Sequence, residues 1–203
     1  MDYTYDEEAA GHADDFANRI DENGPYIGQF TRVEEIVSAN TRTKGMRFEF
    51  EVPNGGGKAQ FSLYTEKEDG TRIFGFNLVQ AMMSLLNLRG LKAQPGKVMQ
   101  FDEDQGRSVE VDGTRYPELE NKDIGVILQK ELYTKNDGKD GYRMNLATVF
   151  DPVSKLTASE KKERKAKPEK VERIIRSLKT KDSRKKVAAE PGQPAVGAPA
   201  GDY

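Results

Sequence analysis

The order in which hydrophobic patterns change along the chain constrains its fold most. Met46-Arg47-Phe48-Glu49-Phe50-Glu51-Val52 puts Met, Phe, Phe and Val on one face and Arg, Glu and Glu on the other, the period of a half-buried strand. Pro53-Asn54-Gly55-Gly56-Gly57 turns the chain, and residues 59 to 65 alternate again. Ala59, Phe61, Leu63 and Thr65 point inward and Gln60, Ser62 and Tyr64 outward, so the two runs read as a hairpin. Upstream, Asn23-Gly24-Pro25 is turn chemistry. Residues 26 to 37 then carry Ile27, Phe30, Val33, Ile36 and Val37 in a pattern that changes phase midway, as a bent or bulged strand does; an amphipathic helix would produce it too. After the turn Glu68-Asp69-Gly70-Thr71 and a short run over 72 to 76, the period becomes helical. Leu78, Met82, Leu85 and Leu86 form one stripe, with Asn77 as N-cap candidate and Gly90 as stop signal, and the methionines fit a core plug.

Beyond the helix, short runs over 98 to 101 and 108 to 111 flank an acidic turn and look like an inserted hairpin. Residues 124 to 133 and 142 to 150 supply two long strands joined by Lys135-Asn136-Asp137-Gly138-Lys139-Asp140-Gly141. Three strands, a helix and two closing strands is the order of a mainly β, OB-type five-stranded small barrel with one helix between strands 3 and 4. The barrel is expected over residues 23 to 152, behind an acidic flexible leader (1 to 22). A basic segment (153 to 186) and a disordered tail rich in Pro, Gly and Ala (187 to 203) follow it. In the basic segment Pro168 opens a helix in which Val171, Ile174, Ile175 and Leu178 fall at i, i+3, i+4 and i+7, with Glu169/Arg173 and Glu172/Arg176 as i,i+4 pairs. Its narrow apolar stripe suits docking on the barrel, on another subunit or on a partner.

Composition narrows the function. The chain has no cysteine and a single histidine, His12, which excludes disulfides, thiolate nucleophiles, Cys/His zinc sites and a Ser-His-Asp triad in the core, and fits a reducing cytoplasmic compartment. No stretch approaches the roughly 20 apolar residues of a membrane span, and the acidic start is unlike a signal peptide. Asp102, Asp104 and Asp123 would have to gather around a cation for metal-nuclease chemistry, but their spacing lacks the repeated ligands of a calcium loop; no cofactor or metal is expected. Charge is unevenly distributed. From residue 153 onward 14 Lys and Arg stand against 7 Asp and Glu (+7), whereas residues 1 to 152 hold 18 against 27 (−9). Such asymmetry marks either a basic arm for nucleic acid or an acidic partner, or a tail kept soluble by charge.

In an OB-type barrel the loops joining strands 1 to 2 and 4 to 5 border the ligand face. Both are basic here. The first, Asn40-Thr41-Arg42-Thr43-Lys44-Gly45, offers Arg42 and Lys44, and the second offers Lys135 and Lys139 with Arg143 just after it. Arg47 and Lys130, on the strands beside these loops, complete the cationic set. Base stacking needs exposed rings, and Tyr64, on the polar face of its strand, leads Tyr133 and Tyr142, which flank the second loop; Phe48, Phe50 and Phe61 read as core. The net −9 of the body opposes polyanion binding unless these cations gather on one face.

Asn23-Gly24-Pro25-Tyr26-Ile27-Gly28, the Asp69-Gly70 turn leading to Gly75-Phe76, the helix from Asn77 to Met83, and Tyr116-Pro117-Glu118-Leu119 with Lys122-Asp123-Ile124-Gly125 together resemble a tailed-phage family of OB-fold single-stranded DNA-binding proteins. The likeness spans about residues 20 to 152. It implies a non-enzymatic protein that coats single-stranded DNA during phage replication or recombination in the bacterial host cytoplasm, with replication or recombination proteins as partners; it identifies no contacting residue and leaves the oligomeric state open. One departure concerns the C-terminus. Several such proteins end in an acidic run with a terminal aromatic that recruits partners, whereas this chain ends Ala198-Pro199-Ala200-Gly201-Asp202-Tyr203, keeping the aromatic without the acidic run. The acidic leader is a substitute for that role, and a protein-interaction adaptor docking through the C-terminal helix is the competing expectation.

Overall fold

A computed structural model of the chain describes residues 4–5, 18–102, 107–135 and 137–184. The long first strand, β1 (Gly24–Val37), is the one on which the others assemble. Its register against β2 (Lys44–Glu51) slips between Phe30 and Arg32. This bulge is the physical form of the phase change in the sequence, and it brings Phe30 and Val33 into one core. β2 returns as β3 (Lys58–Glu66), with Phe50 opposite Ala59, Phe48 opposite Phe61 and Met46 opposite Leu63.

The other edge of β1 is divided. Gly24 to Gln29 pair with β6 (Asp123–Thr134), while Glu34 meets Arg115 at the end of β5 (Arg107–Arg115). β4 (Gln94–Asp102) and β5 form the inserted hairpin as nine-residue strands, longer than the hydrophobic runs alone indicate. β7 (Asp140–Phe150) pairs with β6, and a short β8 (Lys181–Asp182) adds to β6 in parallel. The result is a mainly β protein with one eight-stranded, largely antiparallel sheet. Five strands were expected in a closed barrel. Here the sheet is not closed, because β3 and β7 approach each other without sharing a hydrogen-bonded register.

The helix between β3 and β4, α1 (Phe74–Leu85), begins three residues before the expected cap at Asn77. The chain stays against β3 through an Arg72–Glu66 bridge and an Ile73 N–H to Thr65 C=O bond of 2.9 Å, so Ile73 is the extended cap residue, and the expected run over 72 to 76 is reduced to that bridge. Gly75 permits the early start: a Cβ there would lie 2.1 Å from the Tyr64 carbonyl oxygen. At the other end Asn87 takes the left-handed conformation, φ 56°. Leu88 and Asn87 N–H donate back to the Met83 and Ser84 carbonyls, which closes the helix three residues before Gly90. Leu78, Val79, Met82 and Leu85 bury the inner face of α1 against Phe30, Phe48, Phe50 and Phe61. The rings of Phe30 and Phe48 lie 5.0 Å apart, and those of Phe48 and Phe61 are stacked at 5.4 Å.

Ile20, within the expected leader, is buried and donates its N–H to the Lys58 carbonyl at 2.8 Å. Residues 153–184, the described part of the basic segment, fold back as α2 (Ala158–Lys162), α3 (Glu169–Ser177) and β8. Most of the leader and the 187 to 203 tail, with His12 and Asp104, lie outside the described residues.

At Gly28, where β1 crosses β2, a Cβ would stand 2.1 Å from the Glu51 carbonyl oxygen. Gly28→Ala is expected to lower the urea unfolding free energy by about 1–3 kcal/mol through overpacking. Gly90→Ala, with nothing within 4 Å, should leave it unchanged; equal effects of the two would refute the close-approach account.

Candidate nucleic-acid interface

The two basic loops leave from opposite ends of β1. Loop 38–43 follows Val37, whereas β6 runs antiparallel to β1 and passes its Gly24 end before reaching loop 135–139. Arg42 takes a left-handed backbone, φ 50°, in a turn closed by Ser38 N–H to Thr43 C=O and Arg42 N–H to Ser38 C=O. Its Nε lies 3.1 Å from Glu68, and Lys44 Nζ lies 3.7 Å from Glu66. Both pairs are exposed and therefore weak. Tyr64 sits at this end, opposite Gly45, so the structure brings Arg42, Lys44 and Tyr64 together.

Lys130, Tyr133, Lys135, Lys139, Tyr142 and Arg143 gather at the other end, divided between two faces. Lys130 Nζ stands 4.7 Å over the Tyr142 ring and 3.6 Å from Asp21. Arg143 stands 5.6 Å over the Tyr133 ring and pairs with Glu131 at 3.2 Å. Residues 130 and 133 differ by an odd number of positions on β6, so one cation–ring pair faces the core side and the other the outside. Lys135 and Lys139 are exposed in the loop, which is closed by Lys135 N–H to Lys139 C=O, with Asp137 3.7 Å from Lys139.

Arg47 has a different setting from the other cations. Its Nε donates to Glu34 Oε2 at 2.8 Å, and Nη2 bonds both Glu34 and the Met99 carbonyl of β4. Glu34, almost fully buried, also accepts the Met99 N–H at 2.8 Å. The guanidinium thus clasps the hairpin edge to the β1–β2 face.

Glu131 joins β6 and β7 to the C-terminal segment. Its carboxylate accepts from Ser183 Oγ at 2.6 Å and Asn145 Nδ2 at 2.7 Å and pairs with Lys181 at 3.0 Å. The Ser183 bond, helped by Lys181, Asn145 and Arg143 and opposed by burial, holds its pKa down at about 2. Nearby, α3 packs Val171 against Ile127 and Phe150, with Ile174 and Leu178 at the margin. This chain's own β6 and β7 therefore cover Val171 and partly Ile174 and Leu178, while Ile175 of the stripe stays exposed. Of the three docking surfaces open from the sequence, the first is occupied.

Sequence reasoning missed Phe74, which is 69% exposed at the start of α1, where Gly75 packs on the carbonyl of Tyr64, itself 42% exposed. The sequence pattern offers only a short run over 72 to 76 there. Among the described residues no group of three or more His, Cys, Asp or Glu could hold a metal ion, and Asp123 accepts from Gln29 Nε2 at 2.8 Å. No helix of the described residues is long and apolar enough to cross a membrane. Comparison with known proteins gave no matching family model, curated protein or solved structure.

Arg47→Met is expected to destabilise the fold by about 3 kcal/mol, the low end for breaking a buried pair, because Glu34 loses its hydrogen-bonded guanidinium and keeps only Arg32, whose Nη1 lies 3.6 Å away. Chemical denaturation measures this; a loss under about 1 kcal/mol would contradict the clasp. For Glu131 the depressed pKa means stability that is complete above its ordinary 4.5 and is lost as pH falls toward 2. The Ser183 and Arg184 amide resonances should therefore titrate with a midpoint near 2, and a midpoint near 4.5 would show that the segment is not held by this carboxylate.

Proposed function

We propose that this is a non-enzymatic single-stranded DNA-binding protein of OB-like design, acting in phage DNA replication or recombination beside replication or recombination proteins. The observation that carries the reading is strand order. β1, β2 and β3 precede α1, β6 and β7 follow it, and β6 returns to the first half of β1, with β4–β5 inserted between α1 and β6. That is the OB connectivity apart from the missing β3–β7 ladder, and folds of this kind bind single strands by combining cations with stacking rings. Both ingredients are present as two separate clusters and not as one gathered face: Arg42 and Lys44 beside Tyr64 at one end of β1, and Lys130, Lys135, Lys139 and Arg143 beside Tyr133 and Tyr142 at the other. The adaptor reading loses ground because Val171, Ile174 and Leu178 already pack against β6 and β7.

With an acidic body, binding rests on few phosphate contacts and responds to salt. Four contacts to a single strand imply an affinity loss on the order of 50-fold between about 50 and 200 mM salt. Fluorescence anisotropy with labelled oligo-dT, matched RNA and duplex at these two concentrations should show tightest binding to the DNA single strand and this salt response. Charge reversal at Arg42, Lys44, Lys135 and Lys139 should abolish binding. No anisotropy change for any single strand at low salt would remove the function.

A further inference from the structure

The segment before α1 extends β3's side of the sheet by one short row. Arg72 bridges Glu66, Ile73 N–H bonds the Thr65 carbonyl and Gly75 packs on the Tyr64 carbonyl, so Phe74, the first residue of α1, enters the helix alongside the Tyr64 backbone. On Tyr64's other flank, β2 presents Gly45, which has no side chain to cover the ring. The close approach of Gly75 to the Tyr64 carbonyl fixes the backbone beneath both residues. Tyr64 and Phe74 are thus two exposed aromatic residues at one strand–helix junction.

Such exposure has a cost in water and calls for a partner with flat apolar faces. Four cations lie at this end of the β2–β3 hairpin: Arg42 and Lys44 from loop 38–43 and the start of β2, Lys67 from the turn after β3, and Arg72, whose guanidinium stands 4.2 Å over the Phe76 ring. Glu68 and Glu66 pair with the first two at exposed positions, pairs that a phosphate can replace. Loop 38–43 and the turn also line an open depression of about 510 Å³ formed by Thr41, Thr43, Lys67, Glu68 and Asp69, adjoining the β2–β3 end. No carboxylate stands in the first turn of α1 to repel an anion.

We propose that Tyr64 and Phe74 form a two-ring stacking platform for consecutive bases of single-stranded nucleic acid, with the strand's phosphates drawn to Arg42, Lys44, Lys67 and Arg72. This deepens the function proposed above and rests on it. The platform is chosen over the β6–β7 end because the two rings there are split between opposite faces, each under its own cation.

The chain contains no tryptophan, so Phe74→Trp in the full-length protein creates a single reporter at the platform. Titration with oligo-dT should quench the indole emission of this variant in parallel with the anisotropy of the labelled strand. Phe74→Ala and Tyr64→Ala should each weaken binding roughly fivefold or more, within the range for loss of one stacked base. Circular dichroism checks that these exposed substitutions leave the fold intact. Wild-type binding, together with unchanged emission from the Phe74→Trp variant and undiminished affinity in Phe74→Ala, would overturn the platform while leaving the function standing. Conversion of a dimer to a monomer by Phe74→Ala, with DNA affinity unchanged, would overturn it in favour of a second copy as the occupant. Absence of single-strand binding by the wild type would remove platform and function together.

Discussion

Everything in the sheet depends on β1 being paired along both edges, by β2 on one and by β6 and then β5 on the other. A regular strand could not do this and also fill the core. Phe30 and Val33 are three residues apart and would point to opposite faces of an unbroken pleat, yet both are fully buried in the same cluster. The bulge between Phe30 and Arg32 resolves the conflict by inserting one residue and bending the strand. It also leaves Glu34, the residue after Val33, facing the other side, where the hairpin arrives.

Buried carboxylates occupy the joints between this body and its appendages. Glu34 receives the β4 edge through Met99, and Glu120 ties the turn at Pro117–Leu119 to β1 by accepting from Val33 N–H and Arg115. Glu131 holds the β8 segment, and Glu160, in a capping box with Thr157, accepts the Lys170 N–H that starts α3. Each is satisfied by backbone donors or cations, as a buried charge must be. The arrangement also engages Arg47 and Arg115, both largely covered, in structural pairs. A cation count along the sequence therefore overstates what a polyanion would meet, and the acidic count overstates the repulsion by the same pairs.

Much of the fold was legible because its signals are local. The β2–β3 hairpin alternates so cleanly that, of the inward set Ala59, Phe61, Leu63 and Thr65, all but the half-buried Thr65 are buried. The turn chemistry placed the β6–β7 loop, and the helical stripe put Met82 in the core. What stayed hidden depends on distant partners. The start of α1 is set by Gly75 against Tyr64, not by the capping preference of Asn77, and its end by Asn87 in a conformation sequence reasoning assigns first to glycine. Arg47 alternates outward on β2 just as a ligand-facing cation would; only the folded-back hairpin edge, 52 residues further along, makes it structural. Three of the five glycines in the motifs that suggested a family, Gly28, Gly75 and Gly125, are positions where a Cβ would meet backbone or a ring within 2.2 Å, whereas at Gly24 and Gly70 it would meet nothing closer than 3.7 Å, so the pattern reports backbone packing and turns and no contact residue.

The same folding back narrows where a ligand can lie. The hairpin edge takes the outer face of β1 and β2 at Glu34 and Arg47, and α3 with β8 takes the outer face of β6 and β7 at Ile127 and Glu131. On β3, by contrast, Lys58, Gln60, Ser62 and Tyr64 remain exposed in alternation along the strand. A chain laid along that row would leave the Lys58 end with cationic help and reach the Tyr64 end where loop 38–43 and the start of α1 rise beside it. The appendages thus do more than stabilise the sheet: they cover outer stretches of β1–β2 and β6–β7, so that among the described residues the polar row of β3 from Lys58 to Tyr64 stays open to the ligand proposed above.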